Sequence, residues 1–319
     1  MSVDDAARGR NADSPSQMTW RGWRDVFWRV WKEADEDRLM LIAAGATYYL
    51  LLALFPALAA FVSLYGFFAN PLTIANHLSY LAGLLPEDGI DIIREQLDTL
   101  AAKSDRTLSL GFLVAFAIAF WSANSGIKAL FEAMNIVYDE REKRSFLALN
   151  LIAVLFTFGA MAVGFVLITA IGIVPAALAL LNLGDQADLV IRLARWPLIV
   201  LLLAVGISLI YRYGPSRERA KWRWVTWGGA LATIAWLVVS IGFSFYLENF
   251  AQYNVTYGSL GAVVGFMIWT WLSVLVLLVG GELNSEMEHQ TAVDSTTGPP
   301  EPMGQRGAVM ADTLGEPAD

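Results

Sequence analysis

The chain has 319 residues, of which 56% are hydrophobic and only 16% are charged, and its formal net charge is −8. Soluble domains carry about 25% charged residues, so this composition predicts a polytopic membrane protein. The chain contains no cysteine and only two histidines, His77 and His289. This excludes disulfides and thiolate metal sites and argues against a histidine-based zinc site, so no metal or other cofactor is predicted.

The N-terminal segment is predicted to lie outside the hydrocarbon core of the membrane. Residues 1–17 are rich in small and polar residues, as are residues 289–319, and both segments are predicted to be disordered tails, the second one acidic. Residues 18–38 contain an aromatic stripe formed by Trp20, Trp23, Phe27, Val30 and Trp31, with arginine and lysine elsewhere. This pattern predicts an amphipathic interfacial helix, the alternative being a soluble helix packed on loops.

Residues 39–288 are predicted to be a six-helix transmembrane domain. A bilayer core takes about 20 apolar residues per helix, and six runs approach or exceed that length. The runs are 39–68, 108–127, 146–173, 196–213, 226–247 and 257–281. The long loop at 69–107 contains two further amphipathic stretches. The predicted fold is therefore all-α, a bundle of six transmembrane helices with interfacial and extracytoplasmic helices. Pro56 should kink the first span and is a candidate hinge.

The distribution of lysine and arginine predicts the orientation of the bundle. Of the 22 basic residues, 17 lie on the side that carries both termini and five on the opposite side. Cytoplasmic loops carry the excess of basic residues, so both termini should be cytoplasmic.

The second span continues into a helix with a polar face, in the stretch WSANSGIKALFEAMNIVY. Asn124, Lys128, Glu132 and Asn135 recur at helical spacing and share this face. It is either a solvated helix end or the lining of a cytoplasmic vestibule. The vestibule hypothesis also places Glu282 and Asn284, just beyond the sixth span, near Lys128.

The connection between the fifth and sixth spans is unusually polar and aromatic. It holds Glu248, Asn249, Tyr253, Asn254 and Tyr257 between two apolar helices. These residues are either a binding surface for a substrate headgroup on the outer side or an interfacial aromatic belt with turn residues.

No enzyme signature is present: the chain has no GxGxxG, P-loop, HExxH or nucleophile elbow, so no catalytic residue is predicted. Charged residues are absent from the interior of the six runs, although Arg212 lies near the end of the fourth. Pumps usually keep ionisable groups within their spans, so a carboxylate-driven proton pump is disfavoured. The basic residues are explained by topology and do not predict nucleic-acid binding; the expected partners are membrane lipids.

Three stretches resemble the YihY/virulence factor BrkB family of bacterial inner-membrane proteins. They are LIAAGATYYLLLALFPALAAFVSLYG at 41–66, the stretch that contains Lys128, and residues 211–286 with their Tyr-x-x-x-Pro, YGSLG and GGELN motifs. The resemblance implies a six-span bundle with both termini inside. The family was once labelled ribonuclease BN, and the residues of this chain give that label no physical support.

The resemblance and the residues together leave two functional classes open. The first is a transporter or flippase-like protein for an amphiphilic lipid or glycolipid, which fits the lack of charge within the spans. The second is a non-transporting scaffold or envelope-assembly factor, linked by the resemblance to serum resistance. The sequence does not indicate the oligomeric state.

Overall fold

The computed structural model describes residues 3–68, 110–168, 185–249 and 261–318, and for several residues at helix ends, such as 58–68 and 185–195, it describes the backbone only. All regular secondary structure in these ranges is helical, apart from one isolated β-bridge between Ala220 and Thr296. The all-α fold is therefore confirmed. The α-helices are α1 Val3–Ala7, α2 Trp20–Glu36, α3 Leu39–Phe68, α4 Leu110–Val137, α5 Phe146–Ile168, α6 Asp185–Tyr213, α7 Trp222–Asn249, α8 Gly261–His289 and α9 Val309–Asp312.

Six long helices, α3 to α8, contain most of the residues of the six apolar runs. Within the described ranges, four helices, α5 to α8, have the length and hydropathy of a membrane span, and the bent pair α2–α3 adds a fifth candidate. The count of six spans stays a prediction. Two of these helices extend beyond the ends of their apolar runs, α4 to Val137 and α8 to His289. A helix satisfies its own backbone hydrogen bonds, so leaving the hydrocarbon does not end it.

The chain divides into two compact units. The first unit comprises Met1–Tyr48, Ala129–Phe146 and Leu203–Asp319, and the second comprises Tyr49–Lys128 and Leu147–Leu202. The amphipathic helices expected within 69–107 and the polar connection at 250–260 lie outside the described residues.

In the first unit, α7 packs along α8, with polar groups of the two helices paired inside the contact. Trp236 Nε1 donates to Ser273 Oγ at 2.9 Å, and Trp269 Nε1 donates to Ser240 Oγ at 3.2 Å. The Tyr211 hydroxyl on α6 donates to the carbonyl of Leu277 at 2.8 Å. These bonds satisfy indole and hydroxyl groups that lipid would leave unpaired, so they fix how the three helices pack.

Helix α2 packs on the end of α8 and then turns sharply into α3. Its Val26 is fully buried in a small core with Trp224, Leu283 and Met287. Between α2 and α3 the chain bends by 62°. Arg38 makes this bend with a φ of 53°, a left-handed conformation that costs a non-glycine residue about 1–2 kcal/mol.

Hydrogen bonds join the two tails in the structure, and the disorder expected from their composition stays a prediction. Ala292 N donates to the Arg10 carbonyl at 2.8 Å, and Gly315 N donates to the His289 carbonyl at 2.9 Å. The Arg10 guanidinium in turn donates to the Gly315 carbonyl at 2.8 Å. Composition did not reveal this arrangement because it depends on arginine side chains that bind backbone carbonyls far away in the sequence.

The second unit is mostly apolar where its side chains are described. Phe120 on α4 and Phe158 on α5 pack with their ring centroids 4.7 Å apart. Leu147, Leu151 and Leu155 recur every four residues on α5 and are all exposed. An exposed leucine stripe on a spanning helix is the surface that lipid covers.

Candidate functional site

Four side chains of the second unit form a polar group at the end of its apolar helices, here called the Lys128 cluster. Trp121, Asn124 and Lys128 lie on α4, and Asn150 lies near the start of α5. The spacings of three and four residues place the α4 members on one helical face. Asn124 and Asn150 are buried, Lys128 is half-buried and Trp121 is exposed.

One amide oxygen holds the Lys128 cluster together. Asn150 Oδ1 accepts from Lys128 Nζ at 3.2 Å and from Asn124 Nδ2 at 3.4 Å. The ammonium group also lies 4.9 Å from the centroid of the Trp121 ring, a favourable cation–π distance. Asn124 Oδ1 is buried without a hydrogen-bond partner among the described residues. The buried amide oxygen of Asn124 can therefore accept a further hydrogen bond.

Among the residues that the structure describes, Lys128 has no carboxylate partner. Its described contacts are an amide and an indole ring. An ammonium group has several donors, and Asn150 occupies only one of them. The cluster is therefore equipped to bind an anionic group next to an apolar surface.

The ionisable groups of the first unit are arranged differently, in what is here called the polar cap. The polar cap consists of residues 5–38, 135–146, 212–225 and 282–318. Arg29 forms a buried ion pair with Glu286, and Arg217 Nη2 donates to Glu288 Oε2 at 2.6 Å. These two arginines of the cap are thus neutralised by carboxylates.

Asn135 joins the end of α4 to two loops of the polar cap. Its Nδ2 donates to Glu142 Oε2 at 3.2 Å, and its Oδ1 accepts from Ser216 N at 2.7 Å. Glu142 also accepts two hydrogen bonds from the Arg144 guanidinium, at 2.6 and 2.7 Å. Burial alone would raise the pKa of Glu142, but the bonds from Arg144 and Asn135 lower that pKa to about 2. Asn135 therefore holds the loops in place.

Glu282 and Asn284 are both buried on α8, where Asn284 connects two helices. Its Oδ1 accepts from Gly228 N at 3.0 Å, and its Nδ2 donates to the Val225 carbonyl at 3.4 Å. Glu282 Oε2 has no hydrogen-bond partner among the described residues. Asn284 is thus a packing group between α7 and α8.

The residues predicted to share a vestibule fall into both units of the structure. Asn124 and Lys128 belong to the second unit, whereas Glu132, Asn135, Glu282 and Asn284 belong to the first. Glu132 is exposed. The vestibule, and with it the approach of Lys128 to Glu282, stays a prediction.

The candidate outer-surface segment is described only at its first end. Asn249, the last residue of α7, is exposed and donates from Nδ2 to the Phe245 carbonyl at 2.8 Å. The side chain of Glu248 and the residues Tyr253, Asn254 and Tyr257 lie outside what the structure describes. Pro56 lies inside helix α3, which continues on both sides of it. The role of Pro56 as a hinge remains a prediction.

The sequence analysis missed Asn150, which is the central residue of the Lys128 cluster. A signal for it was available, because Asn150 is the only asparagine or glutamine in the third apolar run. A strongly polar side chain within a membrane span is costly and usually finds a polar partner on a neighbouring helix. That partner is the α4 face on which the sequence had already placed Asn124 and Lys128.

Comparison with known proteins agrees with this architecture. A family model described as virulence factor BrkB matches residues 30–304. The putative ribonuclease-like protein YfkH of Bacillus subtilis (strain 168) is 30% identical over 251 residues, 76% of this chain and 88% of that protein. A UPF0761 membrane protein of Tolumonas auensis is 28% identical over 280 residues, 84% of this chain and 85% of that protein.

A third relative is also similar along most of its length. The UPF0761 membrane protein NTHI0384 of Haemophilus influenzae is 23% identical over 261 residues, 81% of this chain and 93% of that protein. No solved structure is significantly similar to the chain. Because the family model covers most of the chain and relatives named as membrane proteins align along most of it, this integral membrane protein belongs to the virulence factor BrkB family.

Proposed function

We propose that the protein moves an amphiphile with an anionic headgroup, a lipid or glycolipid, across the membrane. In this proposal it is a transporter or flippase-like protein of the bacterial inner membrane, with the polar cap and both termini in the cytoplasm. The orientation rests on the 17 basic residues assigned to that side against five on the other.

The observation that carries the proposal is that Lys128 has no carboxylate partner among the described residues. Arg29 and Arg217 are paired with carboxylates in the polar cap, whereas Lys128 contacts an amide and an indole ring. A half-buried ammonium group in these surroundings keeps N–H donors that can hydrogen-bond to an anionic group. Phosphate or carboxylate headgroups supply that anion, and the exposed leucines of α5 offer an apolar path for acyl chains.

Transbilayer movement of a fluorescent lipid tests the proposal. The purified protein is placed in liposomes with labelled phosphatidylglycerol, and an impermeant reductant reports how fast lipid from the inner leaflet becomes accessible. The wild-type protein should accelerate movement above that in empty liposomes. Lys128→Gln should slow it about tenfold, as expected for the loss of a charged hydrogen bond, and Lys128→Arg should retain most of the activity.

Arg141→Gln is the matched control. It removes one positive charge from an exposed position in the polar cap and should leave the rate unchanged. Equal loss in both variants would assign the effect to surface charge and overturn the role of the Lys128 cluster. No movement with the wild-type protein, for either phosphatidylglycerol or labelled phosphatidylcholine, would overturn lipid transport itself.

A second candidate function, a membrane scaffold, is favoured by the polar cap. Its segments are far apart in the sequence and are joined by buried ion pairs, as expected of a rigid platform that presents a fixed surface to a partner. If the protein is a scaffold, folded wild-type protein in liposomes should not move lipid between the leaflets. The liposome assay therefore separates the two functions.

The ribonuclease-like activity for which the Bacillus subtilis relative is named is not part of this proposal. Nucleic-acid binding requires basic side chains that are free to neutralise phosphates. In the polar cap Arg29 and Arg217 are committed to carboxylates, and Arg306 donates to the backbone carbonyls of Ala292 and Ala311.

A further inference from the structure

We propose that α2 is a membrane-surface helix whose outward face inserts at the boundary between lipid headgroups and acyl chains. The proposal concerns α2 and the C-terminal tail that holds it, not the Lys128 cluster, and so goes beyond the proposed function. The face in question is formed by Trp20, Phe27, Trp28 and Trp31 and is here called the aromatic face.

Four side chains of α2 depart from the polarity of a helix on the surface of a soluble protein, although Val26 is buried in the core described above. Its inward face contains Asp25 and Arg29, which are 0% and 3% exposed. Its outward face contains Trp20 and Trp31, which are 80% and 82% exposed. A soluble helix places charges in water and large apolar groups in the core. The outward face of α2 is therefore suited to surroundings less polar than water.

The inward charges are fixed by partners, so α2 cannot rotate to bury its tryptophans. Asp25 forms an ion pair with Arg8 at 2.9 Å and accepts from Ala318 N at 3.1 Å. Arg29 pairs with Glu286 and donates to Gln290 Oε1 at 2.8 Å. Rotation would leave these charges buried without partners or expose them to lipid, and either outcome is costly.

The last residues of the chain hold α2 along the same side. Arg29 Nη1 donates to the Glu316 carbonyl at 2.8 Å, and Arg24 Nη2 donates to the Ala318 carbonyl at 2.8 Å. The C-terminal tail thus lies against the polar side of α2 and leaves the aromatic face uncovered.

Two observations identify the lipid surface as the occupant of the aromatic face. The first is continuity, because α2 bends by 62° directly into α3, whose apolar run begins at Leu39. Met40 and Leu41 at the start of α3 are also exposed, so the uncovered apolar surface continues past the bend. The second is composition, since tryptophan and phenylalanine concentrate at the interface, and the exposed Arg21 and Arg24 suit anionic headgroups.

Quenching by brominated lipids tests the proposal on the full chain. The protein contains no cysteine, so Phe27→Cys and Trp31→Cys each carry one fluorescent label in an otherwise unchanged chain. Met303→Cys, an exposed apolar position in the tail, is the control. In liposomes of phosphatidylglycerol brominated in the upper acyl chain, both α2 labels should be quenched at least about twofold more than the control label.

Other outcomes contradict the proposal. Quenching no stronger than at Met303 would show that the aromatic face does not meet the bilayer. Disulfide cross-linking of unlabelled Phe27→Cys between molecules, without quenching, would assign the face to a second copy of the chain. If quenching is equally strong in phosphatidylcholine liposomes, the aromatic side chains suffice and the role given to Arg21 and Arg24 is wrong. Lipid movement in the liposome assay does not depend on any of these results.

Discussion

The polar cap and the Lys128 cluster are both polar, and they differ in how their charges are neutralised. In the polar cap Arg29, Arg144 and Arg217 each have a carboxylate partner. In the Lys128 cluster a single cation contacts Asn150 and Trp121. An ion pair within the protein stabilises one conformation, whereas a charge without such a partner can bind a ligand of opposite charge. In the proposed function, the cap gives structural support and the cluster binds the anionic headgroup.

Gly280 on α8 and the two glycines of α5 differ in their surroundings. A Cβ atom added to Gly280 in the first unit would lie 2.7 Å from Ala232 Cβ and would overlap the Tyr211 hydroxyl. A Cβ atom added to Gly159 or Gly164 in the second unit would meet none of the described atoms within 4 Å. Helices α6, α7 and α8 are therefore in close contact around Gly280, whereas neither glycine of α5 lies in such a contact with the described residues.

The largest effect on stability is expected in the polar cap. Arg29→Ala leaves Glu286 buried without its cation, which should lower the free energy of unfolding by about 3–5 kcal/mol. Thermal unfolding in detergent measures the loss. Lys32→Ala is the matched control on the same helix, because Lys32 pairs at 3.7 Å with the exposed Glu36 and should cost less than about 1 kcal/mol.

The double variant Arg29→Met with Glu286→Leu sharpens the comparison. Replacing both members of a buried pair with apolar residues of similar size is often neutral, so the double variant should be more stable than Arg29→Ala. A double variant that is as unstable as Arg29→Ala would show that the hydrogen bonds of Arg29 to Gln290 and Glu316, rather than the ion pair, hold this part of the cap.

The helices could be predicted from the sequence, but the partners in the polar cap could not. Apolar runs of the length of a bilayer located α3 to α8, because hydropathy and length alone determine a membrane helix. The same reasoning located the polar face of α4. Arg29 and Glu286, however, are 257 positions apart, and the sequence predicts them in an interfacial helix and at the end of the transmembrane domain. Their pairing depends on tertiary packing, which no local pattern encodes.

The second prediction concerns the glycines and has a smaller expected effect. Gly280→Ala should lower stability by about 1–3 kcal/mol, because the added methyl group overlaps Tyr211 and Ala232 in a packed contact. Gly242→Ala in the first unit and Gly164→Ala in the second are controls, since their added methyl groups meet nothing within 4 Å. Thermal unfolding should show both controls unchanged or slightly stabilised. A control as damaging as Gly280→Ala would contradict the close contact of α6, α7 and α8.

The smallest expected effect concerns Asp37, a carboxylate of the polar cap whose neighbours are acidic. Burial and the neighbouring acids Asp139, Glu33 and Glu36 raise its pKa from 3.8 to about 6. A raised folded pKa means that the folded protein binds the proton more tightly, so stability falls as pH rises from 3.8 to 6. Asp37→Asn removes this penalty and should raise the free energy of unfolding at pH 7.5 by on the order of 1 kcal/mol. The expected gain is smaller than the full pKa shift would give, because Asp37 is partly exposed and solvent screens its charge.

At pH 4 Asp37→Asn should melt close to the wild-type temperature, because most of the penalty is absent there. Glu142 provides a control of opposite sign. Its pKa is lowered to about 2, so its contribution is present above pH 4.5 and is lost as pH falls through 2. Glu142→Gln should therefore lower the melting temperature at pH 7.5, where Asp37→Asn raises it. If both variants shift the melting temperature in the same direction at pH 7.5, the contrast between an unpaired and a paired carboxylate within the polar cap is wrong.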